Sequence, residues 1–472
     1  MVYINRRKFL TTAAATTMAS GSGLLAKLAN QRAFAADTQG YKALVCVMLR
    51  GGSDHADTIL PRDPQSYAAL EAVRGGIMGS HGASHDRENL VPLAPANAAR
   101  FSGREFGMPS YFAPLGALYD AGELAIVSDV GPLIEPVTRQ TYESGAAALP
   151  QHLFSHNDQQ STWQSLGVEG TRIGWGGQFA DAAIASDPTS TAEFAAISMT
   201  SPSVFLFGNA ATPFRAPLGD RTPDISIVHK NYFLGNADRF DATRDAIQAY
   251  LQSTDPTNPN LYARDLKAMQ AAGVDATLLF RAARQGTVAV EHAFPNPSLS
   301  LDRVADIIAM RNVLNVNRQV FFVRHGFYDT HGSQAREIAD LHGELVPALA
   351  AFRDAMVAQG DWDNVTLFTM SEFGRALVEN GSGTDHGWGG HAMVMGGAVR
   401  GGDIYGEIAP PEPLSQSYVD RRGRLIPTTS IEQFAATLGR WFGLDEGELI
   451  RVLPNLVNFD AQDLGFMATG QP

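Results

Sequence analysis

The segment Tyr41 to Arg50 (Tyr-Lys-Ala-Leu-Val-Cys-Val-Met-Leu-Arg) is an almost unbroken apolar run that ends on Gly51-Gly52. A half-exposed strand alternates apolar with polar residues, so a run without alternation marks a strand buried on both faces. A sheet covered by helices on both sides provides such a place, which points to an α/β architecture. Leu124 to Ser128, after a helical stretch at Tyr111 to Ala121, repeats the pattern, as do Gln319 to Val323 and Asn364 to Met370. Between the last two, Ser333 to Gln359 carries Ile338, Leu341, Leu345, Leu349, Phe352 and Met356 at helical spacing. That is a crossover helix joining parallel strands. His391 to Gly396 reads as another strand. Asp241 to Ala283, broken near Pro256 and Pro259, and Leu301 to Val313 read as helices over one face. The expected fold is α/β: a single large, mostly parallel sheet with helices on both faces. Pro- and Gly-rich stretches at Gly75 to Pro109 and Ala409 to Pro427 are expected to be surface loops beside the site.

Residues 1–35 read as an address. Asn5-Arg6-Arg7-Lys8-Phe9-Leu10 gives a paired-arginine start, and Ala33-Phe34-Ala35 a small-x-small cleavage pattern. The stretch between them is too polar to span a bilayer, which takes about 20 predominantly apolar residues. The expectation is twin-arginine export to the periplasm or beyond, a mature domain at 36–472, and no integral membrane segment in it. Cys46 is the sole cysteine, so no internal disulfide forms, and it is expected as a buried hydrophobe. Loss of the leader's five basic residues takes the formal charge from −13 to −18. That excludes nucleic acid and anionic membranes as partners, since both reward a basic face. An anionic substrate then needs a local cationic site.

In open parallel sheets ligands gather beyond the carboxyl ends of the strands. Polar residues follow three of the runs: Ser53-Asp54-His55-Ala56-Asp57; Arg324-His325-Gly326-Phe327-Tyr328-Asp329-Thr330-His331; and Ser371-Glu372-Phe373-Gly374-Arg375. A glycine-rich loop adds Asp385-His386-Gly387-Trp388-Gly389-Gly390-His391. Each has a plain reading: Asp54 a turn residue, Asp329 to His331 an Asx turn, Glu372 a first-turn helix acid, His386 and His391 satisfied histidines. Together they are harder to explain that way, because gathered carboxylates repel unless cations neutralise them. Carboxylate and imidazole suit zinc and manganese. The expected centre therefore holds divalent metal, Zn or Mn, among Asp54, Asp329, His331, Glu372, Asp385, His386 and His391. In Leu153-Phe154-Ser155-His156-Asn157-Asp158, Ser155 with Asp158 reads as a capping box, or Ser155 as a nucleophile at a helix start with His156 reactive or ligating. Arg375 is either a substrate anchor or a solvated helix arginine.

Six ordered motifs carry a resemblance: Leu49-Arg50-Gly51-Gly52-Ser53-Asp54, Leu153 to Gln160, Gly174-Trp175-Gly176-Gly177, Tyr328-Asp329-Thr330-His331, Ser371 to Arg375, and Gly383-Thr384-Asp385-His386-Gly387. With the paired-arginine start, the chain resembles the exported family catalogued as domain of unknown function 1501, placed in the alkaline phosphatase-like superfamily. The resemblance implies a doubly covered sheet, one or two divalent metals, and displacement at a phosphate or sulfate ester. It implies Asp54 as a ligand after the first strand, Asp329, His331 and His386 as the ligands of one ion, and Glu372 as the acid of the other. Ser155 falls near the nucleophile position. One departure is Glu372-Phe373, where the superfamily usually has Asp-His; phenylalanine cannot coordinate, so a second ion needs Asp385 or His391. No Cys-x-Pro-x-Arg segment occurs, so a cysteine-modifying sulfatase is not expected. The expected function is a secreted metal-dependent hydrolase of phosphate or related esters, acting on a small anionic ester or a surface polymer. The alternative is a non-catalytic secreted binding protein on the same fold. No dinucleotide fingerprint or cysteine cluster supports an oxidoreductase.

Overall fold

The computed structural model describes residues 36–216, 237–287, 293–295 and 299–468. The proposed export signal lies outside the described residues. Nine strands form one sheet: β1 (Lys42–Leu49), β2 (Leu124–Gly131), β3 (Ala196–Ser198), β4 (Phe214–Arg215), β5 (Arg318–His325), β6 (Val365–Ser371), β7 (Gly390–Gly396), β8 (Ile404–Tyr405) and β9 (Thr429–Ser430). Their order is β8-β2-β7-β6-β1-β5-β3-β4, with β9 also on β2. β1 pairs in parallel with both β5 and β6, at the centre of the sheet.

The sequence explains that placement. All of β1 but Lys42 is buried. Ala43, Val45, Val47 and Leu49 enter one core, and Leu44, Cys46 and Met48 the other. Each fully buried Val or Leu contributes about 1.5–3 kcal/mol, so a strand that buries both faces belongs in the middle. The first core is closed by α1 (Leu301–Ala309), α2 (Gln334–Gln359) and the helix Leu261–Gly286. The second is closed by helices Trp175–Ser186 and Ile431–Phe442. α2 is the expected crossover from β5 to β6, and Cys46 is buried with its thiol pushed up by burial.

β7, the expected strand at His391 to Gly396, runs antiparallel to β6 and β2 within the mostly parallel sheet. The link between β6 and β7 holds only a hairpin (Arg375–Glu379 with Thr384–His386), and without a crossover helix the chain returns in the opposite sense. Gly75 and Gly76 are not in a loop but in a helix, Pro64–His81, which breaks at Arg74 (φ −146°, ψ 31°). The carboxylate of Glu379 accepts from the amides of Gly76 (3.3 Å) and Ile77 (2.8 Å), capping the restart. No described helix is long and apolar enough to cross a membrane.

Candidate metal centre

The carboxyl ends of β1, β5 and β6 bring three loops together, and two glycines let them meet. Gly51 (φ +109°) passes so close to the β5 loop that a β-carbon there would sit 2.5 Å from the Asp329 amide nitrogen. Gly52 (φ +89°) lies against the Phe373 ring, where a β-carbon would stand at 2.0 Å. Both need the left-handed backbone that glycine adopts without cost.

Asp329, just beyond β5, is the hub. Its Oδ1 lies 3.0 Å from Nε2 of His331 and 3.2 Å from Nε2 of His386; its Oδ2 lies 3.4 Å from Nε2 of His156. The Nε2 atoms of His331 and His386 are 2.9 Å apart. Arg375 donates to Asp329 Oδ1 at 3.1 Å. Burial raises the Asp329 carboxyl, but the hydrogen bond and charge of Arg375 outweigh it and hold the group below its usual range.

The far ring nitrogens of two of these histidines are fixed. Nδ1 of His386 faces the carbonyl of Phe154 at 2.9 Å, and a carbonyl only accepts, so Nδ1 carries the proton and Nε2 presents a lone pair. Burial is the main cause that lowers the His386 imidazole. Nδ1 of His156 lies 2.5 Å from Oε1 of Glu372, which with the carboxylate ionised leaves Nε2 bare as well. Burial raises the Glu372 carboxyl, and His156 opposes it. An imidazole anchored by its far nitrogen to a carbonyl or carboxylate, with the near nitrogen free, is how metal-binding histidines are oriented. Phe154 holds a left-handed backbone (φ 72°), a strain of about 1–3 kcal/mol for a non-glycine residue, and this aims its carbonyl at His386.

The structure thus gathers His156, Asp329, His331 and His386, and puts Glu372 behind His156 rather than among them. Phe373, where the resemblance implied an imidazole, packs with its ring centre 4.7 Å from that of His386 and 4.9 Å from that of His156.

Three residues expected at the centre are elsewhere. Asp54 is buried, with both oxygens taken by Arg74 (3.3 and 2.8 Å) and one also by Gln334 (2.7 Å). Its charge is already balanced, and it reaches Asp329 only through Thr384 and Arg375. Asp385 precedes His386 on a strand, so it points to the opposite face, where Asn380 and Arg422 each hold it at 2.6 Å. His391 accepts from the Asp129 amide at 3.1 Å and meets His55 edge-on at 5.2 Å. Arg375 is fully buried and spends its guanidinium on Asp329, Gly51 and Thr384, not on a solvated or substrate-facing surface. Ser155 stands at the helix start, but its hydroxyl donates to the Asp158 side chain at 2.7 Å instead of capping a backbone amide. Asp158 also pairs with His152 (2.9 Å), and Gln159 accepts from the Phe154 amide.

The sequence reading missed a second trio, Asp57, His81 and His85. The two rings stack 3.7 Å apart with planes 12° from parallel, so their in-plane lone pairs do not converge on one point. Asp57 is moreover held by Arg74 (2.9 Å) and Gln334 (2.7 Å). The trio is a poor ion site. The His-x-x-x-His spacing that would have flagged it straddles a helix end at Gly82 (φ 61°).

The chain overlaps with several solved structures. One is a crystal structure of Ps i-CgsB in complex with k-i-k-neocarrahexaose, at 9% identity over 90% of this chain and 77% of that one, TM-score 0.31. Another is the C-terminal periplasmic domain of EcEptC from Escherichia coli in complex with Zn, at 10% identity over 87% and 85%, TM-score 0.28. Overlaps this loose carry no argument about chemistry, and the centre rests on its own geometry. No curated protein matches the sequence. Residues 41–453 match the family described as protein of unknown function (DUF1501), and the chain belongs to that family.

Proposed function

We propose that the chain is an exported metal-dependent hydrolase of phosphate or related esters. The observation that supports this most is the convergence of three imidazole Nε2 atoms on the Asp329 carboxylate, two of the rings anchored from behind. Neutral imidazole and carboxylate fit a divalent ion such as zinc or manganese. His156, Asp329, His331 and His386 would hold it, and when bound it would act as a Lewis acid on the ester oxygen. Glu372 orients His156, the Phe154 carbonyl fixes the tautomer of His386, and Arg375 keeps Asp329 ionised and aimed. Phe373 packs against the two rings. Ser155 is the proposed nucleophile, its proton already directed at the Asp158 carboxylate.

A second reading, a secreted binding protein without catalysis, draws support from Asp54 being neutralised by Arg74 and from Phe373 in place of an imidazole. Turnover separates the two. Protein supplied with Zn or Mn is expected to cleave 4-nitrophenyl phosphate or sulfate, and Asp329→Ala to abolish it. No turnover of either ester by metal-loaded protein would favour the binding reading.

A further inference from the structure

We propose that Arg50 and Arg324 form an anion subsite beside the metal centre, one that selects ligands carrying a second phosphate or sulfate group. The inference rests on the ester-hydrolase reading for its purpose, though not for its geometry. Met48 pairs with Arg324 across β1 and β5, and Leu49 pairs with Ser371 across β1 and β6. Arg50 therefore stands beside Glu372, the residue that anchors His156. The ladder runs one residue past β1, the Arg50 amide donating to the His325 carbonyl at 3.1 Å, so Arg50 lies on the face of Met48, and Arg324, opposite Met48, shares it. The electrostatics agree. Burial acts first on both groups, lowering the Arg324 guanidinium and raising the Glu372 carboxyl, and the charge of Arg50 is a smaller effect that lowers each.

Among the described residues no carboxylate pairs with either guanidinium, and Nε of Arg324 is buried without a hydrogen-bond partner. Arg50 lies over the ring of Phe327 at 5.6 Å. Phe327 is 74% exposed and two residues before Asp329 in the chain, so it offers a flat apolar surface beside Arg50. The carboxylate whose charge reaches this pair is that of Glu372, which is committed to His156, so two adjacent guanidinium groups share one carboxylate and keep an excess of positive charge, at a cost in mutual repulsion. An anion between them removes that cost. The planar fork of arginine matches a tetrahedral oxyanion, and Arg375, spent on Asp329, cannot serve.

The test is calorimetric binding to the full chain, with metal and after chelation. Glucose 1,6-bisphosphate is compared with glucose 6-phosphate, and disulfated with monosulfated glucosamine. Wild type is expected to prefer the doubly charged member of one pair by about tenfold or more, the weight of a charge-assisted hydrogen bond. The pair that shows it names phosphate or sulfate. Arg50→Gln with Arg324→Gln should erase the preference at unchanged metal content and melting temperature. Arg50→Gln alone, at an exposed position, should remove most of it. A preference that persists in chelated protein supports the subsite whatever becomes of the hydrolase reading. Metal-loaded protein that cleaves an aryl ester but prefers neither doubly charged ligand overturns the subsite and spares that reading; so does a preference that survives both substitutions.

Discussion

Nδ1 of His156 lies 2.5 Å from Oε1 of Glu372, and this contact turns Nε2 of the same ring toward Asp329, 3.4 Å away. Glu372 thus acts on the centre through His156. Glu372→Gln keeps an acceptor and loses the charge, and partners of this kind are worth about 10–100-fold in metal affinity. The variant is expected to bind metal that much more weakly in chelator competition while still filling at saturation. Failure to fill at any concentration would make Glu372 a ligand itself.

Gly52→Ala tests how tightly the loops are drawn together. The new β-carbon would meet the Phe373 ring at 2.0 Å on a backbone with φ +89°, and Phe373 props both His156 and His386. The expected result is a loss of about 1–3 kcal/mol in urea unfolding together with weaker metal binding. An unchanged midpoint and unchanged affinity would refute the wedge role of Phe373.

Arg74 is buried between Asp54 and Asp57. Burial works against its charge, but the two carboxylates win and hold it more firmly protonated than usual. Arg74→Met leaves two buried carboxylates without a cation, an imbalance that costs about 3–5 kcal/mol. The unfolding midpoint should drop accordingly and recover when Asp54→Asn and Asp57→Asn are added. No recovery would mean that Arg74 matters for packing and not for charge.

Acid should destabilise the fold through its buried histidines. Burial pushes the imidazoles of His342 and His85 each down to about 3. In the unfolded chain they take protons near 6.5. Their contribution is complete above 6.5 and is lost as pH falls toward 3, because the unfolded state binds protons that the folded state refuses. The slope is about 1.4 kcal/mol per pH unit for each residue. Unfolding midpoints should fall between pH 7 and pH 5, and His342→Gln should flatten the decline. A midpoint that holds or rises over that range contradicts the assignment.

The sheet was legible because its central strands bury both faces, and continuous apolar runs record that without ambiguity: Tyr41 to Arg50 against Lys42–Leu49, Asn364 to Met370 against Val365–Ser371. The direction of β7 was not, since it depends on the lack of a helix in the preceding link and not on the strand's own residues. At the centre, Asp329, His331 and His386 were readable as polar residues at strand ends. Asp54 was misread because its partner Arg74 lies 20 residues on, at a helix break that no local pattern announces. Asp385 was misplaced for want of the hairpin: once Thr384–His386 is a strand, Asp385 and His386 must face opposite ways.

Elemental analysis of the purified full chain, beside Asp329→Ala and His386→Ala, settles whether these side chains hold an ion. About one Zn or Mn per chain is expected in the wild type, as isolated or after dialysis against the metal, with both variants empty. A wild type that takes up neither metal, or variants that keep the ion in full, would contradict it.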